Sequence, residues 1–387
     1  AQSWVMFTPT ELLKLYVKEA FNREGIPAPD ARIQTWTEFR ADLARNVFGI
    51  LRTSANRSSL VMKEGAGTLT PATNMDQVAW FSEFDDWQKS AFWNELRQAA
   101  QTLAEEKEED VQRIGAKLIR SMPKEGKVPP ASALAEILAL AGEIKNLADG
   151  MKSATDRKIR SVLNLQVNRD RNFLDELAAK IRDFGENVED PDDPDADEEE
   201  EASQPRIGRA AAMARFSQVM RTLSRSRASK RTIGKVSATG QLIEWLGDRT
   251  LSLEDQTIVG ESLIIQSALR AFANPARRYI DGVVSRYRRF RRERQAEEKW
   301  YAASGFQATD LHPLEVDVIL LSLLRASDEL LRMNAPKGGP DSFSAALDRI
   351  ERLYRNQVVV DEATDFSPVQ LACMATLASP ATRSFFA

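Results

Sequence analysis

An Asp-Glu pair directly after a run of three valines is the arrangement in this chain best suited to do chemistry. The valines at 358–360 predict a short buried strand, and Asp361 and Glu362 follow at its carboxyl end. In open α/β sheets, metal and phosphate chemistry is placed at that end of a strand. One carboxylate there can hold Mg²⁺, and a second can polarise the water that attacks a γ-phosphate. We therefore assign Asp361 to the metal and Glu362 to catalysis; an acidic turn after an edge strand is the alternative.

The residues after this pair extend the pattern. Asp365 follows Glu362, then come Phe366-Ser367-Pro368, and Gln370 ends the string. The string resembles the Walker B segment (motif II) of the UvrD/Rep-like superfamily 1A DNA helicases. The resemblance implies an ATP and Mg²⁺ site, which Thr364, Asp365 and Gln370 would couple to DNA. The chain departs from the family at Thr364, where Gln is usual.

A second stretch near the start of the chain resembles motif Ia of the same helicases. Residues 4–8 predict a short strand that ends at Pro9, and Thr10 is expected to cap a helix that runs to about Glu24. Phe7-Thr8-Pro9 before this amphipathic helix carries the resemblance. It implies that Thr8 touches the backbone of single-stranded DNA, whereas the alternative is a strand-to-helix turn with no special role.

The resemblance does not include a phosphate-binding loop. A P-loop needs a Gly-rich turn with Lys and a hydroxyl residue, and the pattern G-x-x-x-x-G-K followed by Ser or Thr does not occur in these 387 residues. Motif III, with the pattern Gly-Asp-x-x-Gln, is also missing. We therefore expect an internal portion of a longer helicase-like protein, which alone does not hydrolyse ATP. A standalone hydrolase that uses Asp361, Glu362 and Asp365 is an uncommon alternative.

The composition argues against several other kinds of site and of protein. One histidine, His312, and one cysteine, Cys373, leave almost nothing from which to build a His/Cys zinc site or a Ser-His-Asp triad. A single cysteine forms no internal disulfide, so a cytoplasmic location is expected. No apolar run approaches the roughly 18 residues that span a bilayer, so no membrane association is expected.

Charge is strongly segregated along the chain. Residues 189–201 hold ten Asp or Glu and no Lys or Arg, whereas residues 206–235 hold nine Lys or Arg and no acid. Residues 277–299 add nine basic residues against four acidic ones, with aromatic side chains between them. Such clusters suit the phosphates and bases of single-stranded or forked DNA. The DNA-binding residues predicted here are Arg277, Arg278, Arg288, Arg289, Arg291 and Arg292.

Two alternatives to DNA contact remain open. The arginines can pair with neighbouring acids such as Asp281 and Glu293 on a solvated helix. The helical part of the chain can also serve as a non-catalytic interaction module that binds a protein partner or DNA. A stripe of aromatic residues over 80–93 poses a similar choice between core packing, the commoner role, and a base-stacking platform.

The elements that position these residues are expected to be mainly α-helical, with a small parallel α/β part where residues 4–8, about 357–361 and 383–387 come together. A short strand over 33–36 and a helix capped by Thr37 are also predicted. By resemblance, the fold is a fragment of a RecA-like P-loop NTPase domain (1A) plus a large 1B-like helical insertion. The predicted domains are 1–53 as the first part of domain 1A, 54–187 as a helical insertion or coiled-coil arm, 188–205 as an acidic disordered linker, 206–310 as a basic helical region, and 311–387 as the return to domain 1A with Walker B.

Overall fold

The computed structural model describes residues 4–51, 60–122, 134–184, 208–332, 342–379 and 384–387. The predicted acidic linker at 188–205 lies outside these residues. The chain divides into two compact units, of which the first comprises Ala1–Glu95, Met122–Glu136 and Pro275–Ala387, and the second comprises Leu96–Ser121 and Ile137–Asn274. The expectation of a mainly helical fold with a small parallel sheet is confirmed.

The strands all belong to the first unit. In chain order they are β1 (Trp4–Thr8), β2 (Ile33–Thr35), β3 (Val61–Met62), β4 (Asp310–Leu311), β5 (Gln357–Val360) and β6 (Ser384–Phe386). The helices, in chain order, are α1 (Glu11–Arg23), α2 (Trp36–Asp42), α3 (Pro71–Met75), α4 (Gln77–Ala104), α5 (Glu109–Ser121), α6 (Leu134–Ala139), α7 (Ala141–Arg169), α8 (Phe173–Phe184), α9 (Arg209–Ala228), α10 (Ala238–Leu246), α11 (Leu253–Arg270), α12 (Pro275–Asp281), α13 (Val283–Ala296), α14 (Pro313–Arg332), α15 (Ser342–Glu351) and α16 (Pro368–Thr376).

Four of these strands form one parallel sheet in the order β2-β1-β5-β6. The predicted meeting of residues 4–8, 357–361 and 383–387 is therefore confirmed. The apolar side chains of β1 and β5 bury against the helices, and Phe7 and Val358 have no exposed surface. Because the strands are parallel, the last residues of β1 and β5 lie at the same edge of the sheet.

The helix caps next to this sheet agree with one prediction and correct another. Thr10 caps α1, since its hydroxyl accepts a hydrogen bond from Leu13 N at 3.2 Å. The prediction that Thr37 caps the next helix is wrong. Thr35, the last residue of β2, has an extended backbone and accepts from Glu38 N at 3.3 Å, so that α2 begins two residues earlier.

The basic region after Asn274 is helical, as predicted for residues 206–310, but it is interrupted. It consists of α12 and α13, with a break at Gly282. A Cβ atom at Gly282 would overlap the guanidinium of Arg286, which folds back to donate to Tyr279 O at 2.6 Å. Glycine therefore makes room for a buried arginine at this turn.

The second unit has a core of its own, formed by α7, α8, α9, α10 and α11. The apolar face of α9 is centred on Phe216, Val219 and Met220, which are buried, whereas Met213 is 43% exposed. The α9 and α11 backbones pack closely at Gly260, where a Cβ atom would overlap Ser224 O. No helix in the described part of the chain is long and apolar enough to cross a membrane.

Candidate functional site

The two carboxylates that follow β5 lie at the edge of the sheet where β1 also ends. Asp361 N donates to Phe7 O at 3.0 Å, so the backbone of Asp361 extends the β1–β5 pairing by one residue. Thr8 is the next residue of β1 and lies at this same edge. Asp361 is half-buried and Glu362 is exposed. The parallel pairing thus brings the predicted metal residue beside the Thr8 loop.

Glu362 has a left-handed backbone conformation, with φ 51° and ψ 55°. Such a conformation costs an L-residue with a side chain roughly 1–2 kcal/mol, and strained residues of this kind cluster at functional sites. The turn is closed by Asp365 N, which donates to Glu362 O at 2.9 Å. The left-handed conformation of Glu362 turns the chain sharply out of β5, and the Glu362 carboxylate is exposed.

Among the residues that the structure describes, no cationic side chain pairs with the acidic side chains of this turn. Asp361, Glu362 and Asp365 make no side-chain hydrogen bond or ion pair with another described residue, and neither does the exposed Thr364 hydroxyl. Nor do the described residues contain a group of three or more His, Cys, Asp or Glu that fits a metal ion. The turn offers carboxylates without a partner in the described part of the chain, and one or two carboxylates are what Mg²⁺ usually takes from a protein when water and phosphate oxygens complete its shell.

Gln370 points away from the carboxylates and into the protein. It forms a capping box with Ser367: Ser367 N donates to Gln370 Oε1 at 3.0 Å, and Gln370 N donates to Ser367 Oγ at 3.2 Å. Its amide nitrogen donates to Asp317 Oδ2 at 3.1 Å. Gln370 thus fixes the end of the turn to the α14 helix.

Asp317 is a buried acid that the sequence reasoning missed. It accepts from Trp36 Nε1 at 2.8 Å and from Arg40 Nη1 at 3.2 Å, both on α2. Burial raises the pKa of Asp317, and the charge of Arg40 opposes that rise. The one available signal was an acid within the apolar run Val316 to Leu321, a place where unpaired acids are rarely buried.

Thr8, predicted to contact single-stranded DNA, has no exposed surface. Its hydroxyl donates to Thr10 O at 3.3 Å, which holds the loop between β1 and α1. In this arrangement the Thr8 side chain stabilises the loop and is not displayed to solvent.

The predicted DNA-binding arginines fall into three groups. Arg277, Arg289 and Arg292 are exposed, Arg278 and Arg288 are half-buried, and Arg291 is buried. Arg277 pairs with Asp281 at 2.9 Å, the kind of pairing proposed as the alternative to DNA contact. Arg292 makes no ion pair with any residue that the structure describes.

Arg289 and Arg291 differ although they are two residues apart. Arg289 lies over the half-buried Trp87 ring, 5.0 Å from its centroid, and pairs with Glu95 at 2.9 Å. Arg291 donates to Asp310 O at 2.7 Å and lies against Glu315, so its guanidinium faces the interior. A phosphate at the protein surface can therefore reach Arg289 but not Arg291.

The aromatic stripe of α4 is mostly core. Trp80, Phe84 and Phe92 have no exposed surface, and Phe84 packs edge-on against Tyr287, with ring centroids 5.1 Å apart. The core-packing interpretation is thus confirmed for these rings. Trp87 is the half-buried member of the stripe.

No family model, curated protein or solved structure matches this chain.

Proposed function

We propose that this chain is the part of a UvrD/Rep-like, ATP-dependent DNA helicase or translocase that runs from motif Ia to Walker B. The observation that carries the proposal is the parallel pairing of β1 with β5. It brings the loop at Thr8 and the turn at Asp361 and Glu362 to one edge of the sheet. That is the edge at which α/β nucleotide enzymes place phosphates and metal. On this proposal, the sheet belongs to a RecA-like domain.

Within this proposal Asp361 holds Mg²⁺ and Glu362 orients the attacking water. The half-buried Asp361 and the exposed Glu362, neither of which pairs with a cation among the described residues, support these roles. Mg²⁺ supplies charge neutralisation at the phosphates when ATP is bound. A Gly-rich phosphate-binding loop is not among the 387 residues, so the proposal assigns ATP binding to the complete protein.

Contact with single-stranded DNA is assigned to the exposed arginines of α12 and α13. Arg292 has no protein partner among the described residues, and Arg289 combines a cation with the half-buried Trp87 ring. Positive charge beside an aromatic ring suits a phosphate next to an unstacked base.

The test of hydrolysis uses the complete protein and measures ATP turnover with and without single-stranded DNA. Replacing Glu362→Gln is expected to lower the stimulated rate by about 10²-fold or more, because a positioned general base contributes that much. Glu64→Gln changes an exposed acid that follows β3, a strand of the other sheet, and is the matched control. Absence of DNA-stimulated turnover in the unaltered protein, or a normal rate in the Glu362 variant, contradicts the proposal.

The test of DNA contact uses this chain alone and measures affinity for single-stranded DNA over a range of salt concentrations. Arg292→Ala is expected to weaken binding and to reduce the salt slope by about 1, since one phosphate contact is lost. Arg352→Ala, another exposed arginine of the first unit, should leave the slope unchanged. Equal effects of the two substitutions contradict a specific site on α13.

A second candidate function, a non-catalytic helical module for a protein partner, is favoured by one observation in the second unit. Two arginines of α9 are paired with acids of that unit, Arg209 with Asp175 and Arg221 with Asp156, each at 2.7 Å. Paired arginines offer less charge to phosphate. Absence of binding to single-stranded DNA at low salt would favour a protein partner, whereas DNA affinity that falls steeply with salt would favour phosphate contact.

A further inference from the structure

Asp317 joins three elements of the first unit with one carboxylate. Its Oδ1 accepts from Trp36 Nε1 at 2.8 Å, and its Oδ2 accepts from Arg40 Nη1 at 3.2 Å and from Gln370 Nε2 at 3.1 Å. The side chain has no exposed surface. Two of these bonds lead to α2 and the third leads to α16, so a displacement of either helix acts on the same pair of oxygens.

The bond to Gln370 of α16 connects Asp317 to the turn that carries Asp361 and Glu362. Gln370 binds Ser367 in both directions through the capping box, and Ser367 ends the turn that begins at Asp361. A second tie comes from Cys373, whose Sγ donates to Asp317 O at 3.3 Å. The position of α14 therefore sets where the turn ends.

The two bonds to α2 connect Asp317 to the Thr8 side of the sheet edge. Helix α2 begins at Trp36, immediately after β2, and Thr35 of β2 lies beside Thr8 of β1 in the parallel register. A shift of α2 consequently moves the strand that neighbours the Thr8 loop. The Asp317 carboxylate links the Thr8 side of the edge to the Asp361 side.

A buried carboxylate is a costly way to hold helices together, because its desolvation must be offset by directed bonds. Apolar side chains of similar volume pack as tightly without that cost. What the carboxylate adds is direction. Loss of Trp36 would leave Oδ1 without a donor, and loss of Arg40 or Gln370 would remove one of the two donors of Oδ2 and change the balance of the remaining bonds.

We propose that Asp317 is a positioning residue that couples α2 to the Asp361–Glu362 turn through Gln370. The coupling itself is a property of this fold, and its effect on turnover rests on the proposed function. Two measurements separate these claims.

The first measurement is amide hydrogen exchange on this chain. Gln370→Met removes the bond to Asp317, together with the capping-box bond from Ser367 N, with little change of volume. Exchange is expected to rise by about fivefold in residues 361–367 and also in α2, to whose described residues Gln370 makes no hydrogen bond, because the network around Asp317 loses a buried hydrogen bond. A rise confined to α16 and the turn overturns the proposal.

A matched control and a second variant accompany this one. Ser322→Ala removes a different buried hydrogen bond of α14, the one to Asp85 Oδ1 at 3.1 Å, and should leave α2 and the turn unchanged. Asp317→Asn should raise exchange in both segments. The reason is that its amide nitrogen would face the two donors from which Oδ2 now accepts, Arg40 Nη1 and Gln370 Nε2. Unchanged exchange of α2 and the turn in Asp317→Asn overturns the proposal.

The second measurement is ATP turnover by the complete protein. Asp317→Asn is expected to lower the DNA-stimulated kcat by about tenfold, because small misplacements of reacting groups are costly, while KM for ATP changes little. Ser322→Ala, the matched control, should lose little. A normal kcat for Asp317→Asn overturns the proposal. If the unaltered protein shows no DNA-stimulated turnover, the proposed function fails, and the exchange result alone decides the coupling.

Discussion

Arg291 Nε lies 3.3 Å from Glu315 Oε1 in the interior of the first unit. Glu315 has no exposed surface and also accepts from Tyr287 OH at 2.8 Å and from His312 N at 2.7 Å. Burial raises the pKa of Glu315, and the neighbouring guanidinium opposes the rise. Arg291 belongs to the basic run predicted to bind DNA, but in the structure its charge neutralises the buried Glu315.

Substitution of Glu315→Gln is expected to lower the free energy of unfolding by about 3 kcal/mol, because the Arg291 charge is left buried without its counter-charge. Urea denaturation followed by tryptophan fluorescence measures this. Glu95→Gln breaks the more exposed pair with Arg289 and should cost less than about 1 kcal/mol. Equal losses from the two substitutions would show that burial does not distinguish these pairs.

Relief of backbone strain at the carboxylate turn should stabilise the protein. Glu362→Gly removes a side chain from a residue with φ 51°, and the free energy of unfolding is expected to rise by about 1 kcal/mol. Lys230→Gly, at φ 54° on an exposed turn, should give a similar rise. If the proposed function holds, only the Glu362 variant loses turnover. Destabilisation by Glu362→Gly would show that the carboxylate makes a stabilising contact.

Two glycines on helices should respond to alanine with opposite signs. Gly260→Ala forces α9 and α11 apart, since the new methyl group overlaps Ser224 O, and should cost about 2–3 kcal/mol. Gly150→Ala adds a methyl group to α7 in open space and should stabilise by about 0.5–1 kcal/mol. Thermal or urea denaturation of the two variants compares them directly. Tolerance of alanine at position 260 would mean that the two helices pack less closely.

The single histidine should make stability depend on pH near neutrality. Partial burial, with a smaller contribution from Arg40, lowers the pKa of His312 below its ordinary value of 6.5. Its Nδ1 accepts from Leu314 N at 3.1 Å, which requires an unprotonated nitrogen. Because the unfolded chain binds the proton more tightly, the free energy of unfolding should fall as the pH drops through about 6.5.

Proton NMR of the one imidazole measures its pKa, and urea denaturation between pH 7.5 and 5.5, a range chosen around the reference value of about 6.5, measures the slope. His312→Asn keeps an acceptor for Leu314 N but does not titrate, so its slope should be smaller. An imidazole pKa above 6.5 would contradict the expectation.

Local patterns predicted the sheet well because its strands carry their own signals. Three consecutive valines, and a short strand ended by Pro9, define elements whose parallel pairing then follows from the α/β rule. The error at Thr37 has a local cause: β2 passes into α2 without a loop, so the capping threonine is the last residue of the strand.

Hydrogen bonds between residues distant in the sequence could not be predicted from local patterns. Gln370 was singled out, but its partner Asp317 is 53 residues away, and Asp317 in turn binds Trp36. Arg289 and Arg291 stand in the same basic run, and only the packing of α13 decides which of them is exposed. Single polar residues within apolar or basic runs therefore need the tertiary structure to be interpreted.

The position of β1 and β5 in the chain has a consequence for biosynthesis. Met6 and Val359 are neighbours in the sheet, although nearly the whole chain separates them. At about 5–20 residues per second, the ribosome needs roughly 20–70 s to make β5 after β1 has emerged. β1 can pair early with β2, but its other edge stays open during that time. The apolar strand Trp4–Thr8 is therefore a segment of the nascent chain that needs protection from aggregation.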